Sequence, residues 1–126
     1  DERDVKYVLK LLQETPKQMV TDLLLDQNTF AGVGNIIKNE VLLRVKMHPE
    51  SLVWALSLKQ QKALVKDAHA YSRLFYERKK VYELRKHYRI YTKKYCPECG
   101  WVLTKKKVGK TQRRTFFCEH CQVLYV

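Results

Sequence analysis

Hydrophobic positions along the chain fall first into helical and then into alternating patterns. Val5, Val8, Leu9 and Leu12 recur at i, i+3, i+4 and i+7, which predicts an amphipathic helix that Asp4 can cap. Thr15-Pro16 is a cleaner start signal, a capping hydroxyl followed by proline at the first helical position. A second helix is expected from there to about Leu25, with Met19, Val20, Leu23 and Leu24 facing inward. A third begins near Asn35, carries Ile36, Ile37, Val41 and Val45 to about Lys46, and is closed by His48-Pro49. After a short piece around Leu52 to Leu56, Ser57 and Gln60 form a capping box for a long helix. Its inner stripe reads Leu64, Ala68, Tyr71 and Phe75 and continues toward Tyr82, which places these tyrosines in the core.

From Leu84 the pattern changes. HYRIYTKKY alternates apolar or aromatic with basic residues and is expected to be extended. WVLTKKKV and TQRRTFF then read as two strands around a turn at Gly109-Lys110. The expected fold class is therefore α+β: a helical domain over residues 1–84, then an extended linker and a β-hairpin over residues 85–126.

Charge follows the same division. Residues 1–84 hold 14 Lys/Arg against 11 Asp/Glu, whereas residues 85–126 hold 11 against 2. The formal net charge of +12 thus lies mostly in the last third of the chain, which points to a polyanionic partner. No 18-residue apolar run and no basic-then-apolar N-terminal segment is present, so neither a membrane span nor a signal peptide is expected.

All four cysteines lie in the hairpin region, as two C-x2-C pairs: Cys96 and Cys99, then Cys118 and Cys121. Each pair lets one tight turn present two thiolates, and four sulfurs close a tetrahedron around one zinc ion. Pro97 favours the first turn and Gly100 can leave it with positive φ. Two disulfides in a secreted protein are the rival reading. His120, between the last two cysteines, reads as a surface residue rather than a fifth ligand.

The stretch NTFAGVGNIIKNE joins two predicted helices. Gly32 and Gly34 permit positive φ and close backbone approach, and the next helix opens with Asn35 at its mouth. Unpaired N–H groups and the positive end of the helix dipole make this a candidate phosphate site. A plain corner with glycines for packing is the competing interpretation, and the basic hairpin favours phosphate. Lys105, Lys106, Lys107, Lys110, Arg113 and Arg114 lie on that hairpin with no acid between them, a density of like charge that nucleic-acid phosphates would neutralise.

LLLDQNTFAGVGNIIKNEVL and CPECG…QRRTFFCEHCQ together resemble the helix–two-turn–helix and zinc finger of the formamidopyrimidine-DNA glycosylase/endonuclease VIII (Fpg/Nei) family, from about Thr15 to Gln122. KHYRIYTKK is more similar to the endonuclease VIII-like branch. The resemblance implies a base-excision repair DNA glycosylase/AP lyase, one structural zinc, a monomer, and double-stranded DNA with a damaged base or abasic site as partner, in the cytoplasm or nucleoid of a bacterium or the nucleus of a eukaryote. It implies that Asn35 grips a phosphate and that Arg113 holds phosphates around the damaged nucleotide. Arg114 stands one position away, and the assignment between the two arginines is open. Gly32, Gly34, Lys38 and Lys110 complete the expected DNA-contacting set.

Family members begin with a catalytic proline and glutamate on a β-sandwich domain, whereas this sequence starts Asp1-Glu2 with no such pattern before the first helix. The expectation is a C-terminal module that binds DNA without excising a base, since neither nucleophile nor acid/base partner is matched. A ribosomal small-subunit protein that holds rRNA with a similar helix–two-turn–helix is the alternative, and a protein-binding zinc-ribbon adaptor is a third.

Overall fold

The computed structural model describes residues 2–14 and 17–126. Among these residues, four α-helices, α1 (Glu2–Glu14), α2 (Val20–Leu25), α3 (Asn35–Arg44) and α4 (Leu58–Lys80), precede a two-stranded antiparallel hairpin of β1 (Thr104–Val108) and β2 (Arg113–Phe117). The architecture is α+β, as its sequence patterns imply. No described helix is long and apolar enough to cross a membrane.

The helices share a core of Val20, Leu23 and Leu24 from α2, Ile37, Val41 and Leu42 from α3, and Leu64, Val65, Ala68 and Tyr71 from α4. Ser57 and Gln60 form the expected reciprocal box at the start of α4, with side-chain-to-backbone bonds of 3.1 and 2.8 Å. A second cluster gathers Leu43, Ile90, Cys96, Leu103, Phe116 and Cys118 beneath the hairpin. Leu43 belongs to α3, so one helix lies against both clusters.

Several boundaries differ from those the pattern suggests. The first helix begins at Glu2, so Asp4 lies in its opening turn rather than ahead of it. Thr15-Pro16 and the Leu12 side chain fall outside the described residues. The second helix begins only at Val20, because Met19 bridges Leu52, Val53 N–H donates to the Gln18 carbonyl, and Val20 N–H donates to that of Ser51. The third helix stops at Arg44, and Lys46 takes a positive φ of 58° as the chain turns toward Met47. Tyr82, expected on the inner stripe of α4, is 97% exposed beyond the helix end, again with positive φ. The strands are also shorter than expected: Trp101 and Val102 precede β1, and a four-residue turn, Gly109 to Gln112, separates the strands.

The segment HYRIYTKKY is not an extended strand. Arg85–His87 form a short 3-10 turn, and the next residues bend around one carboxylate. Glu40 of α3, 2% exposed, accepts the backbone N–H groups of Arg89, Ile90 and Tyr91 at 2.8, 3.0 and 2.8 Å. Buried N–H groups without a partner are costly, so this carboxylate sets the path of the linker in place of a strand ladder. Changing Glu40→Gln would put an amide donor against these N–H groups. It is expected to destabilise the fold by about 2 kcal/mol or more in urea unfolding, and a loss under about 0.5 kcal/mol would contradict this role.

Candidate nucleic-acid interface

The turn from α2 into α3 is held from three sides. Asp26 accepts the Asn28 N–H at 3.0 Å, and its carbonyl accepts those of Thr29 and Phe30. Gln27 spans the glycine pair, accepting the Gly32 N–H at 3.1 Å and donating to the Val33 carbonyl at 2.9 Å. From α4, the Tyr76 hydroxyl donates to the Gly32 carbonyl at 2.7 Å. Gly32 has φ +85°, the left-handed conformation expected of it.

Gly34 does not. With φ −100° and ψ −173° it is extended backbone, so conformation does not demand a glycine here. Space on the protein side does not demand one either, because a Cβ at Gly34 would meet nothing within 4 Å. The missing side chain instead leaves the entrance to α3 open. Gly34 is the N-cap residue, no side chain caps the helix, and the residues of its first turn line a cleft of about 420 Å³.

Arg113, Asn35, Tyr76 and Tyr91 border this cleft together with the two glycines. Asn35 is 8% exposed; its Nδ2 donates to the Arg114 carbonyl at 2.9 Å and keeps a second proton to give. Its Oδ1 is buried with no partner among the described residues. The two arginines, equivalent on sequence, are separated by geometry. Strand alternation puts Arg113 on the cleft side, while Arg114 is not among the lining residues and contributes its carbonyl to Asn35 and Asn39.

Lys38 is also placed differently from expectation. It is fully buried, and its Nζ donates to Thr115 Oγ1 at 2.7 Å instead of facing outward. Asn39 completes the grip on β2 by accepting the Phe116 N–H at 2.7 Å. These contacts turn the polar edge of α3 toward the strand, which leaves no room for Lys38 at the surface. Burial, followed by the nearby Arg113 guanidinium, lowers the Lys38 ammonium to a pKa of about 8, partly offset by Asp22. Lys110 keeps an exposed side chain at the hairpin tip, where its N–H donates to Asp22 Oδ1 at 2.9 Å. Gly109 beside it has φ +80°, and any Cβ there would collide with the same carboxylate.

Gln27, Tyr76 and Tyr91 are absent from the residues singled out by pattern. Tyr76 sits one position past the buried stripe of α4, an offset that turns it toward the glycine turn. Tyr91 reaches the cleft only because Glu40 bends the linker.

The four cysteines meet at the base of the hairpin. Their sulfurs all lie within 4.8 Å of one another, with Cys96–Cys121 at 3.9 Å and Cys99–Cys118 at 3.6 Å. None is in a disulfide. A tetrahedron with metal–sulfur bonds of about 2.3 Å has edges of about 3.8 Å, so the arrangement suits a four-thiolate metal ion. Gly100 leaves the first knuckle with φ +81°, as expected, and His120 is exposed and stacked on Trp101 at 4.4 Å.

Comparison with known proteins agrees with this geometry. Residues 1–74 match the formamidopyrimidine-DNA glycosylase H2TH domain. Endonuclease 8-like 3 of Homo sapiens is 42% identical over 118 residues, covering 90% of this chain and 20% of that protein. Formamidopyrimidine-DNA glycosylase of Mycoplasma mobile is 34% identical over 138 residues, covering 96% and 48%. The crystal structure of a viral DNA glycosylase superposes with a TM-score of 0.85 at 33% identity, covering 98% of this chain and 46% of that one. Lactococcus lactis formamidopyrimidine-DNA glycosylase, non-covalently bound to DNA containing an AP site, superposes with a TM-score of 0.84 at 28% identity, covering 94% and 45%. The chain thus spans less than half the length of these relatives. On the domain match, the relatives and the shared architecture, it belongs to the Fpg/Nei family.

Proposed function

We propose that this chain is the DNA-gripping C-terminal module of a base-excision repair DNA glycosylase/AP lyase, with duplex DNA containing a damaged base or abasic site as its partner. The observation that carries the reading is the cleft itself: an uncapped helix N-terminus, an open position in place of a side chain at Gly34, and Arg113 on the facing wall. A phosphate seated there would accept from the first-turn N–H groups of α3 and from the second proton of Asn35 Nδ2. Arg113 would supply the opposite charge. Residues 1–84 provide the helix end and residues 85–126 the arginine. Support comes from relatives named as an endonuclease 8-like protein and a formamidopyrimidine-DNA glycosylase, and from the Lactococcus lactis glycosylase bound to DNA containing an AP site. The ribosomal alternative, a zinc-containing RNA-binding structural protein, draws on the glycine turn between helices and the basic tail, and the zinc hairpin with QRRTFF argues against it.

A zinc ion held by Cys96, Cys99, Cys118 and Cys121 would tie the two ends of the hairpin together and keep Arg113 in register with α3. It serves structure here, since four thiolates leave no open position for substrate. Metal analysis of reduced, folded protein is expected to find one zinc per chain, and chelation is expected to loosen the hairpin and abolish DNA binding. A folded, metal-free protein that still binds DNA would contradict this.

Losing a contact to the DNA backbone weakens binding without regard to sequence. Asn35→Ala and Arg113→Ala are expected to raise the dissociation constant for every duplex tested. Arg113→Ala should also lower the salt slope by about one unit, with Arg114→Ala doing less. Unchanged affinity and salt slope in Arg113→Ala would refute the site. A larger loss at Arg114 would move the contact to the neighbouring residue.

A further inference from the structure

Lys38 is withdrawn from the surface, yet it stands two hydrogen bonds from the cleft. Its Nζ donates to Thr115 Oγ1 at 2.7 Å, and that hydroxyl donates in turn to the Arg113 carbonyl at 3.0 Å. No carboxylate pairs with it among the described residues. A buried ammonium with only a hydroxyl acceptor is an expensive way to fill space; an apolar side chain of similar length would be cheaper. The position therefore calls for a reason beyond packing.

We propose that Lys38 is a positioning residue of the phosphate cleft: through Thr115 it fixes the backbone of Arg113, and its buried charge stands behind the α3 N-terminus for an arriving phosphate to neutralise. The inference rests on the phosphate-binding reading above and adds a residue that does not itself touch DNA.

Among the described residues, two charged groups act on Lys38 from the elements around it. Arg113 of β2 opposes its proton, and Asp22 of α2 favours it. No charged group of α4 or β1 acts on it, and Glu40, two residues along α3, is turned to the linker N–H groups. Burial and Arg113 together bring its pKa to about 8 in the free protein. A phosphate beside Arg113 would cancel that repulsion and raise the value toward the ordinary lysine range. The sign follows from linkage. Near neutral pH Lys38 carries its proton both free and bound, so binding takes up none. Above about pH 8 the free protein has lost the proton, and binding must recover it or proceed without the charge, so affinity falls.

The test is binding of a duplex carrying a tetrahydrofuran abasic analogue, followed by fluorescence anisotropy between about pH 7 and about pH 9.5 at constant ionic strength. The parent is expected to weaken about fivefold across this range, beyond the drift shown by Lys38→Met. Lys38→Met should bind more weakly at neutral pH and show the flatter profile. Circular dichroism and metal content identify any variant that fails to fold. Thr115→Val is the second variant: it removes the acceptor of the ammonium and should move the drop to lower pH. Parallel profiles for the parent and the folded Lys38→Met protein would overturn the role of Lys38, as would an unshifted drop in Thr115→Val. Arg113→Ala, measured alongside, separates the two claims. If it binds like the parent, the phosphate site itself fails; if it is weakened while the Lys38 profiles stay parallel, only the Lys38 inference fails.

Discussion

The structure depends on one buried polar edge. Asn35, Lys38, Asn39 and Glu40, all on α3 and none more than 8% exposed, spend their side chains on backbone and hydroxyl groups from the last third of the chain. Asn35 and Asn39 take the Arg114 carbonyl, Asn39 the Phe116 N–H, Lys38 the Thr115 hydroxyl, and Glu40 three successive N–H groups of the linker. A two-stranded hairpin is marginal by itself. This one is seated on a helix whose other faces are already locked in the helical core. Buried polar groups are costly when left unmatched, so the bonds these side chains make confine the hairpin to one register against α3.

The candidate phosphate cleft follows from that register. The helix end and the strand arginine come from sequence positions nearly eighty residues apart, yet they border one cleft because the same helix that presents its N-terminus also grips the strand. The four-cysteine cluster closes the far end of the hairpin, and Asp22 holds the near end through the Lys110 N–H and the close approach of Gly109. Cationic side chains on β1 and β2 repel one another, so the hairpin needs these fastenings before any polyanion arrives.

Features with local causes were legible in the sequence. The Ser57–Gln60 box, the apolar stripe of α4 through Phe75, the positive φ of Gly32 and Gly100, and the meeting of the two C-x2-C pairs each follow from a few neighbouring residues. Features with distant causes were not. Nothing near Lys38 announces that Thr115 will receive it, and nothing in HYRIYTKKY announces that Glu40 will bend it. An alternating pattern normally signals a strand, but here the N–H groups meet a carboxylate before they can meet another strand. Gly34 is the instructive case: two glycines flank one valine, but only the first needs its backbone freedom, and the second leaves space outside the protein. Tyr82 lies on the extrapolated stripe of α4, but the helix ends at Lys80 and the stripe ends with it.

The central claim is that a phosphate sits between the start of α3 and Arg113. Amide and guanidinium resonances of the isotope-labelled protein, titrated with an abasic duplex, report on this directly. The account predicts that the largest shifts fall on the N–H groups of Asn35, Ile36 and Ile37 and on the Arg113 side chain, with smaller shifts on Arg114. Strong shifts elsewhere on the surface, with the α3 N-terminus and Arg113 unmoved at saturation, would contradict it.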